Sequence, residues 1–252
     1  TGYAKAYRVF GEEAFLNAAV TNANFLLKKA IAADGEMTRN YKNGRSSINA
    51  LLDDYAFTIA AFIELYQATF DEKWLTEANK ITSYTLEHFF DASSGMFFYT
   101  HNQYADLIAR KMELSDNVIP SSNSEMAKNL FLLGHFLNKD EYISKAKQML
   151  INVEADVQRN IYFYANWGML QALFTSPLYE VAIMGDDFKN RRQQFDEHYL
   201  PTVILLGGKQ AGSLALLHNK LIPGQTTISV CRDKTCGLPA TSVEQALGQI
   251  GK

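Results

Sequence analysis

Between Leu51 and Thr100 the chain carries two adjacent helical patterns of different character, and this pairing limits the folds open to it. Leu51 to Thr69 is apolar almost all the way round, with Leu51, Leu52, Tyr55, Ala56, Phe57, Ile59, Ala60, Ala61, Phe62, Ile63, Leu65 and Tyr66. A helix of that kind offers no face to water and must be enclosed. After a short polar break at Asp71-Glu72, Lys73 to Phe90 places Trp74, Leu75, Ala78, Ile81, Tyr84, Leu86 and Phe89 at helical spacing among Lys, Glu, Thr and His. That is an outer helix with one buried stripe. An enclosed helix joined by a tight turn to an outer one is a single αα-hairpin.

The turn recurs. Phe10-Gly11-Glu12-Glu13-Ala14-Phe15-Leu16 leads to Ala19, Phe70-Asp71-Glu72-Lys73-Trp74-Leu75 to Ala78, and Leu137-Asn138-Lys139-Asp140-Glu141-Tyr142-Ile143 to Ala146. Each copy has an acidic or polar turn, an aromatic followed by an aliphatic, and an Ala four residues after the aromatic. Acidic residues suit the first turn of the outer helix, where they complement its dipole. The aromatic returns after 59 and then 68 residues, at Phe15, Trp74 and Tyr142. These periods exceed the ~34–47 residues of common helical solenoids, leaving room for long loops after each outer helix. The pattern predicts a ring or stack of hairpins over an ordinary antiparallel bundle.

Outer helices are expected over Glu12–Ile31, Lys73–Phe90 and Asp140–Val157, with enclosed helices at Leu51–Thr69, up to about Leu137, and from Asn160 to about Thr175. The loops after the first two outer helices, around Asp34-Gly35 and Ser94-Gly95, read as tight turns followed by short extended arms. Asn102 to Glu113 reads as loop. Beyond Pro177 the period changes. Tyr179–Gly185, Thr202–Gly207 and Thr226–Cys231 are short apolar runs, alternating with helix-like Phe188–His198 and Ala211–Lys220, and Val243–Ile250 closes the chain. Strands alternating with helices predict a small parallel sheet. The expected organisation is mainly α: residues 1–176 forming part of a toroid of α-hairpins, residues 177–252 a small α/β unit.

Composition narrows the function classes. With 47% hydrophobic residues, 20% charged and a net charge of −3, the chain gives no argument for nucleic-acid binding. No apolar stretch reaches the ~18 residues of a membrane span. The two cysteines are too few for a disulfide framework, which favours a reducing compartment and a cytoplasmic location. The opening residues Tyr3 to Phe10 resemble the last turns of an enclosed helix, with no initiator Met and no signal-peptide pattern. They predict a C-terminal piece of something longer, whose open edge would favour self-association.

In a ring of hairpins the enclosed helices run parallel, so their N-termini share one rim. Polar groups gather there: Asp53, Asp54 and Tyr55; Asp116 and Ser121 to Ser124 including Asn123; then Tyr162, Tyr164 and Asn166. The loop with Glu36, Arg39 and Tyr41 can reach the same rim. Carboxylates, aromatics and neutral hydrogen-bonders around a concave floor suit a sugar, and paired carboxylates suit acid–base work on a glycosidic bond. Helix capping accounts equally well for Asp53 and the Ser/Asn cluster. Cys231 and Cys236, five apart, read as a structural pair at a strand end, free or bridged. The five histidines make no metal-ligand motif, and no phosphate loop or cofactor fingerprint is present.

Three segments occur in a telling order: Leu52-Asp53-Asp54-Tyr55-Ala56, the stretch Asp116–Ser124 ending Ile119-Pro120-Ser121-Ser122-Asn123-Ser124, and Val230-Cys231-Arg232-Asp233-Lys234-Thr235-Cys236-Gly237-Leu238-Pro239. Together they resemble the C-terminal part of the spermatogenesis-associated, thioredoxin-domain-containing protein family, over nearly the whole chain. That resemblance implies a thioredoxin-like N-terminal domain, absent here, followed by an (α/α)6 toroid related to six-hairpin glycosidases and N-acylglucosamine 2-epimerase. Where the family commonly has Ser-Gly-Asn, this chain has Ser121-Ser122-Asn123. The catalytic His and carboxylate residues of those enzymes do not match one by one. Two functions follow as expectations. One is a carbohydrate-binding, glycosidase- or epimerase-like domain, with Asp54 as acid–base residue and Asp53, Tyr55, Asp116, Ser121, Asn123 and Tyr164 positioning the ligand. The other is a non-catalytic scaffold serving the thioredoxin-like domain.

Overall fold

The computed structural model describes residues 1–103 and 109–251. Three αα-hairpins follow one another: α1 (Gly2–Phe10) with α2 (Glu13–Lys29), α3 (Leu52–Thr69) with α4 (Lys73–His88), and α5 (Ser122–Leu137) with α6 (Asp140–Arg159). A short 3-10 turn at Ile161–Phe163 then leads into α7 (Ala165–Thr175). The long loop expected over Asn102–Glu113 falls partly, at residues 104–108, outside the described residues.

Each hairpin turns the same way. The first helix ends on a residue in the left-handed region: Gly11 at φ 71°, Phe70 at φ 57° and Asn138 at φ 53°. Gly and Asn adopt that conformation readily, but a bulky Phe does not. Phe70 is held there by burial, its ring stacked on Phe188 at 5.8 Å and tilted against Tyr66 at 6.0 Å. Close approach between the helices of the third hairpin depends on Gly134, where a Cβ would lie 2.5 Å from Cγ1 of Ile143.

Enclosure follows the sequence pattern. None of the residues of α3 or α5 is exposed, whereas α4 and α6 alternate buried and exposed faces. Phe62 meets Trp74 at 5.4 Å and Tyr66 meets Phe136 edge-on at 5.1 Å, so α3 is bound to both α4 and α5 by aromatic contacts. Full burial of each such side chain contributes about 1.5–3 kcal/mol. The last helix of the series, α7, departs from the expectation of an enclosed helix. Trp167 and Leu170 are buried, but Met169 on its far side is 54% exposed.

Two small hairpins carry the chain between helices: β1 (Thr38–Lys42) with β2 (Arg45–Asn49), and β3 (Phe90–Asp91) with β4 (Met96–Phe97). The second sits where the Ser94-Gly95 signal placed it. In the first, the tight turn expected at Asp34-Gly35 brings Ile31 and Met37 together, and the extended arm after it, β1, turns back into β2 at Asn43-Gly44, both at positive φ.

After α7 comes a four-stranded sheet of order β6-β5-β7-β8, built from β5 (Tyr179–Met184), β6 (Val203–Gly208), β7 (Thr227–Arg232) and β8 (Thr235–Cys236). The expectation of a parallel sheet is corrected: β5 and β6 are parallel, but β7 runs antiparallel to β5 and β8 to β7. The reason lies in the connections. Helix α8 (Phe188–Asp196) carries the parallel crossover from β5 to β6. The segment expected as a second helix, Ala211–Lys220, folds only a 3-10 turn at Ala215–Leu217, too short for another crossover. Helix α9 (Val243–Leu247) follows. One face of the sheet, with Ala182, Met184, Ile204 and Leu206, joins the core of the helical hairpins. The other, with Val181, Ile183, Leu205 and Val230, packs with Phe195, Val243 and Ala246.

Candidate functional site

The starts of α3, α5 and α7 come together, and the loops before them are knitted by side chains. Asn123, fully buried at the start of α5, accepts the Phe97 N–H at 2.8 Å and donates to the carbonyls of Phe97 and Glu113 at 2.9 and 3.0 Å. Asp116 lies in the loop before α5. Its Oδ1 accepts the Ser121 N–H and the Ser124 hydroxyl, both at 2.8 Å, and its Oδ2 accepts the Asn166 N–H at 2.8 Å. Ser121 caps α5 by accepting the Ser124 N–H at 3.2 Å while donating to the Leu114 carbonyl at 3.0 Å. Tyr55 is buried, its hydroxyl accepting the Met37 N–H at 2.9 Å and its ring stacked on Tyr84 at 5.8 Å. Tyr164 is half-buried just before α7, its phenol pushed up by burial and by Asp156 and Asp116.

Asp53 and Asp54 differ from these. Both line a cavity of about 260 Å³ together with Leu26, Met37, Thr38, Arg39, Phe57, Thr58 and Ile119. The carboxylates come from the first turn of α3, Arg39 and Thr38 from β1, Leu26 from α2, and Ile119 from the loop before α5. Of the expected ligand-binding carboxylates, aromatics and hydrogen-bonders, only this pair lines the cavity; Asp116, Ser121, Asn123 and Tyr55 spend hydrogen bonds on the backbone and side chains around them. The expected reach of Arg39 is observed, and Thr38, Thr58, Phe57 and Ile119 are contributors that the sequence did not single out. Thr58 and Phe57 lie one turn below the carboxylates, a spacing that could have suggested them.

The two carboxyl groups have distinct surroundings. Oδ2 of Asp54 accepts the Leu51 N–H at 2.9 Å, reaching back to the residue before α3, and lies 3.5 Å from Nε of Arg39. Burial, reinforced by Asp53, pushes the Asp54 carboxyl above the usual range against the opposing pull of the Leu51 N–H and Arg39. Oδ1 of Asp53 accepts the Asp54 N–H at 3.0 Å. Asp53 also accepts from the Tyr99 hydroxyl; burial, with Asp53 next, pushes that phenol up to about 12. The arrangement offers an acid that keeps its proton to a higher pH, an adjacent carboxylate, a cation and an apolar wall. Among the described residues no cluster of three His, Cys, Asp or Glu is placed to hold a metal ion. Among the described residues no helix is long and apolar enough to cross a membrane.

The family model for glycosyl hydrolase family 76 matches residues 20–133, which include both carboxylates and every residue named as lining the cavity. Spermatogenesis-associated protein 20 from Homo sapiens is 25% identical over 96% of this chain and 33% of its own length. The Rattus norvegicus protein of that name is 23% identical over the same shares. An uncharacterised protein of Caenorhabditis elegans is 30% identical over 59% of this chain and 21% of its own. The chain thus spans about a third of the length of the spermatogenesis-associated relatives. A glycosyl hydrolase family 76 α-mannanase from Bacteroides thetaiotaomicron has a similar structure, with a TM-score of 0.50 and 18% identity over 69% of this chain and 48% of that one.

Proposed function

We propose that this chain, homologous to spermatogenesis-associated protein 20 over most of its length and built as part of an α/α toroid of the glycosyl hydrolase family 76 kind, binds a carbohydrate at the α3 rim and cleaves glycosidic bonds there. The observation that carries the reading is the pairing of Asp53 and Asp54 in the wall of the cavity, where burial makes Asp54 hold its proton to a higher pH. Two carboxyl groups with different roles are what glycoside hydrolysis requires. Asp54, protonated to a higher pH, gives its proton to the leaving glycosidic oxygen as the bond to the anomeric carbon breaks. Asp53, as the carboxylate, stabilises or captures the positive charge developing on that carbon, and water completes the reaction. Phe57 and Ile119 supply an apolar wall for the C–H face of a sugar ring; Arg39, Thr38 and Thr58 supply groups for its hydroxyls. The cavity is smaller than the ~300–1,000 Å³ of drug-sized ligand pockets, a scale that suits one ring at a chain end. The α-mannanase fold relative makes mannosides the first substrates to try.

The test is calorimetric titration of the chain with mannose and manno-oligosaccharides, followed by a reducing-sugar assay. Binding and turnover are expected in the wild type. Asp54→Asn should keep binding and lose turnover by 10²-fold or more, the size typical of a missing general acid. Equal turnover in Asp54→Asn would sink the assignment.

A second reading has its own support. Both carboxylates already hold backbone N–H groups of the α3 first turn, the task of helix caps in a non-catalytic module. A scaffold serving a thioredoxin-like domain would give no heat with any sugar and no turnover.

A further inference from the structure

At the far end of α5 from the rim, the two cysteines are joined in a disulfide across the β7–β8 hairpin. They are unlike each other: Cys231 is buried and Cys236 is exposed. Lys220, on the segment after the Ala215–Leu217 turn, places Nζ 2.8 Å from Sγ of Cys231 and 3.3 Å from Sγ of Cys236. The backbone holds it there, its carbonyl accepting from the Thr227 hydroxyl. Glu180, buried on β5 directly opposite Cys231 in the sheet register, keeps an oxygen with no hydrogen-bond partner among the described residues. Its other oxygen meets Nδ1 of His135 on α5 at 3.4 Å.

An ammonium gains little from a neutral disulfide, and burial disfavours its charge here, with Glu180 opposing that loss. The same ammonium gains much from a thiolate. The lysine is therefore placed for the reduced state. We propose that Cys231 and Cys236 form a thiol–disulfide exchange site whose co-substrate is a dithiol and whose Lys220 receives the Cys231 thiolate.

The first step is attack of a dithiol's thiolate on the exposed Sγ of Cys236. The S–S bond breaks, and its electron pair leaves on Cys231 Sγ beside Lys220 Nζ. The second thiol of the dithiol loses its proton to water, attacks its own mixed-disulfide sulfur and expels the Cys236 thiolate, which takes a proton from water. The dithiol is oxidised to a disulfide, and the chain gains two electrons. Exchange is faster when the departing thiolate is stabilised.

The experiment uses the oxidised 252-residue chain in native buffer at pH 7 with dithiothreitol, quenched by alkylation and read by mass. The native chain is expected to be reduced without denaturant. Lys220→Met should slow reduction by about fivefold or more, while Lys220→Arg should stay within about threefold of the wild type. Equal rates in Lys220→Met and wild type, or a disulfide that yields only once urea unfolds the chain, would overturn the proposal. Should Lys220→Met fail to fold, alkylation of the reduced wild type against pH decides the matter. Lys220 meets Cys231 from the loop and Glu180 pairs with it from β5, with His135 of α5 beyond Glu180. On the hairpin, Arg232 pairs with Asp233 and Lys234 with Asp140. Half-maximal alkylation of Cys231 below the ordinary thiol value of ~8.5 supports the site; a midpoint at or above it removes the role of Lys220.

Discussion

The two parts of the rim use the same chemical groups in opposite ways. Around α5 and α7, Asp116 is ringed by donors: two backbone N–H groups and a hydroxyl occupy both of its oxygens, and only 7% of the residue reaches solvent. Around α3, Asp53 holds one backbone N–H and the Tyr99 hydroxyl, Asp54 holds one backbone N–H with Arg39 at 3.5 Å, and both line a cavity. A buried carboxylate with both oxygens already bonded within the fold is a structural fastener, because a ligand would have to displace bonds already made. One that keeps an open side in a partly buried place holds free energy in reserve for a proton or a ligand. The comparison separates fastener from site on hydrogen-bond accounting alone.

The largest test of that division falls on the fastener. Asp116→Ala leaves the Ser121 and Asn166 N–H groups and the Ser124 hydroxyl without their acceptor, and should cost about 3–5 kcal/mol in urea unfolding. Asp116→Asn keeps one oxygen but turns an amide toward a donor, and should fall between the alanine variant and wild type. Asn123→Ala comes next, at about 2–4 kcal/mol, since it releases the N–H of Phe97 and the carbonyls of Phe97 and Glu113 in a site with no exposure. Losses below about 1 kcal/mol for both would mean that water replaces these bonds freely and that the α5–α7 rim is as open as the α3 rim.

Much of this molecule was legible in its sequence. The all-round apolar run of Leu51–Thr69 and the striped run after it are enclosed and outer helices as read, because burial on every side and burial on one side leave different patterns. The repeated turn was legible as well, down to Phe10-Gly11, Phe70 and Leu137-Asn138, although no local rule predicts that a Phe will sit at φ 57°. The direction of β7 was not legible: it depends on how a connection packs, and Ala211–Lys220 looked helical until tertiary contacts left it a single turn. At the site, the sequence placed Asp53, Asp54, Asp116 and Asn123 on one rim but could not say which had spare lone pairs. Capping and ligand binding call for the same residue types at the same helix positions. Lys220 gave no signal at all, since it lies 11 residues before Cys231 and meets it only through the turn of the sheet.

Smaller effects sharpen the α3 side of the comparison. Asp54→Asn weakens one bond to the Leu51 N–H and removes the Arg39 pair at a half-exposed helix start, so its cost in stability should be about 1 kcal/mol or less. A loss comparable to that of Asp116→Ala would make Asp54 a fastener too, and the functional reading of the rim would go with it.

The finest distinction lies in the pH dependence of that variant. Asp54 holds its proton more tightly folded than unfolded, because burial raises its carboxyl. The folded state therefore binds more protons than the unfolded state between the unfolded carboxylate value of ~3.9 and the raised folded one. By linkage, the stability contributed by this group is greatest below that window and is lost as pH rises through it. Asp54→Asn has no such proton to lose. Its melting temperature, compared with that of the wild type from pH 3 to pH 8, should improve relative to the wild type as pH rises through the window, then run parallel above it. Any glycosidase activity of the wild type should fall over the same interval, as the acid form of Asp54 disappears. A difference that stays flat from pH 3 to pH 8 would mean that Asp54 is as well solvated folded as unfolded. The α3 rim would then lack the proton that sets it apart from the rim of Asp116.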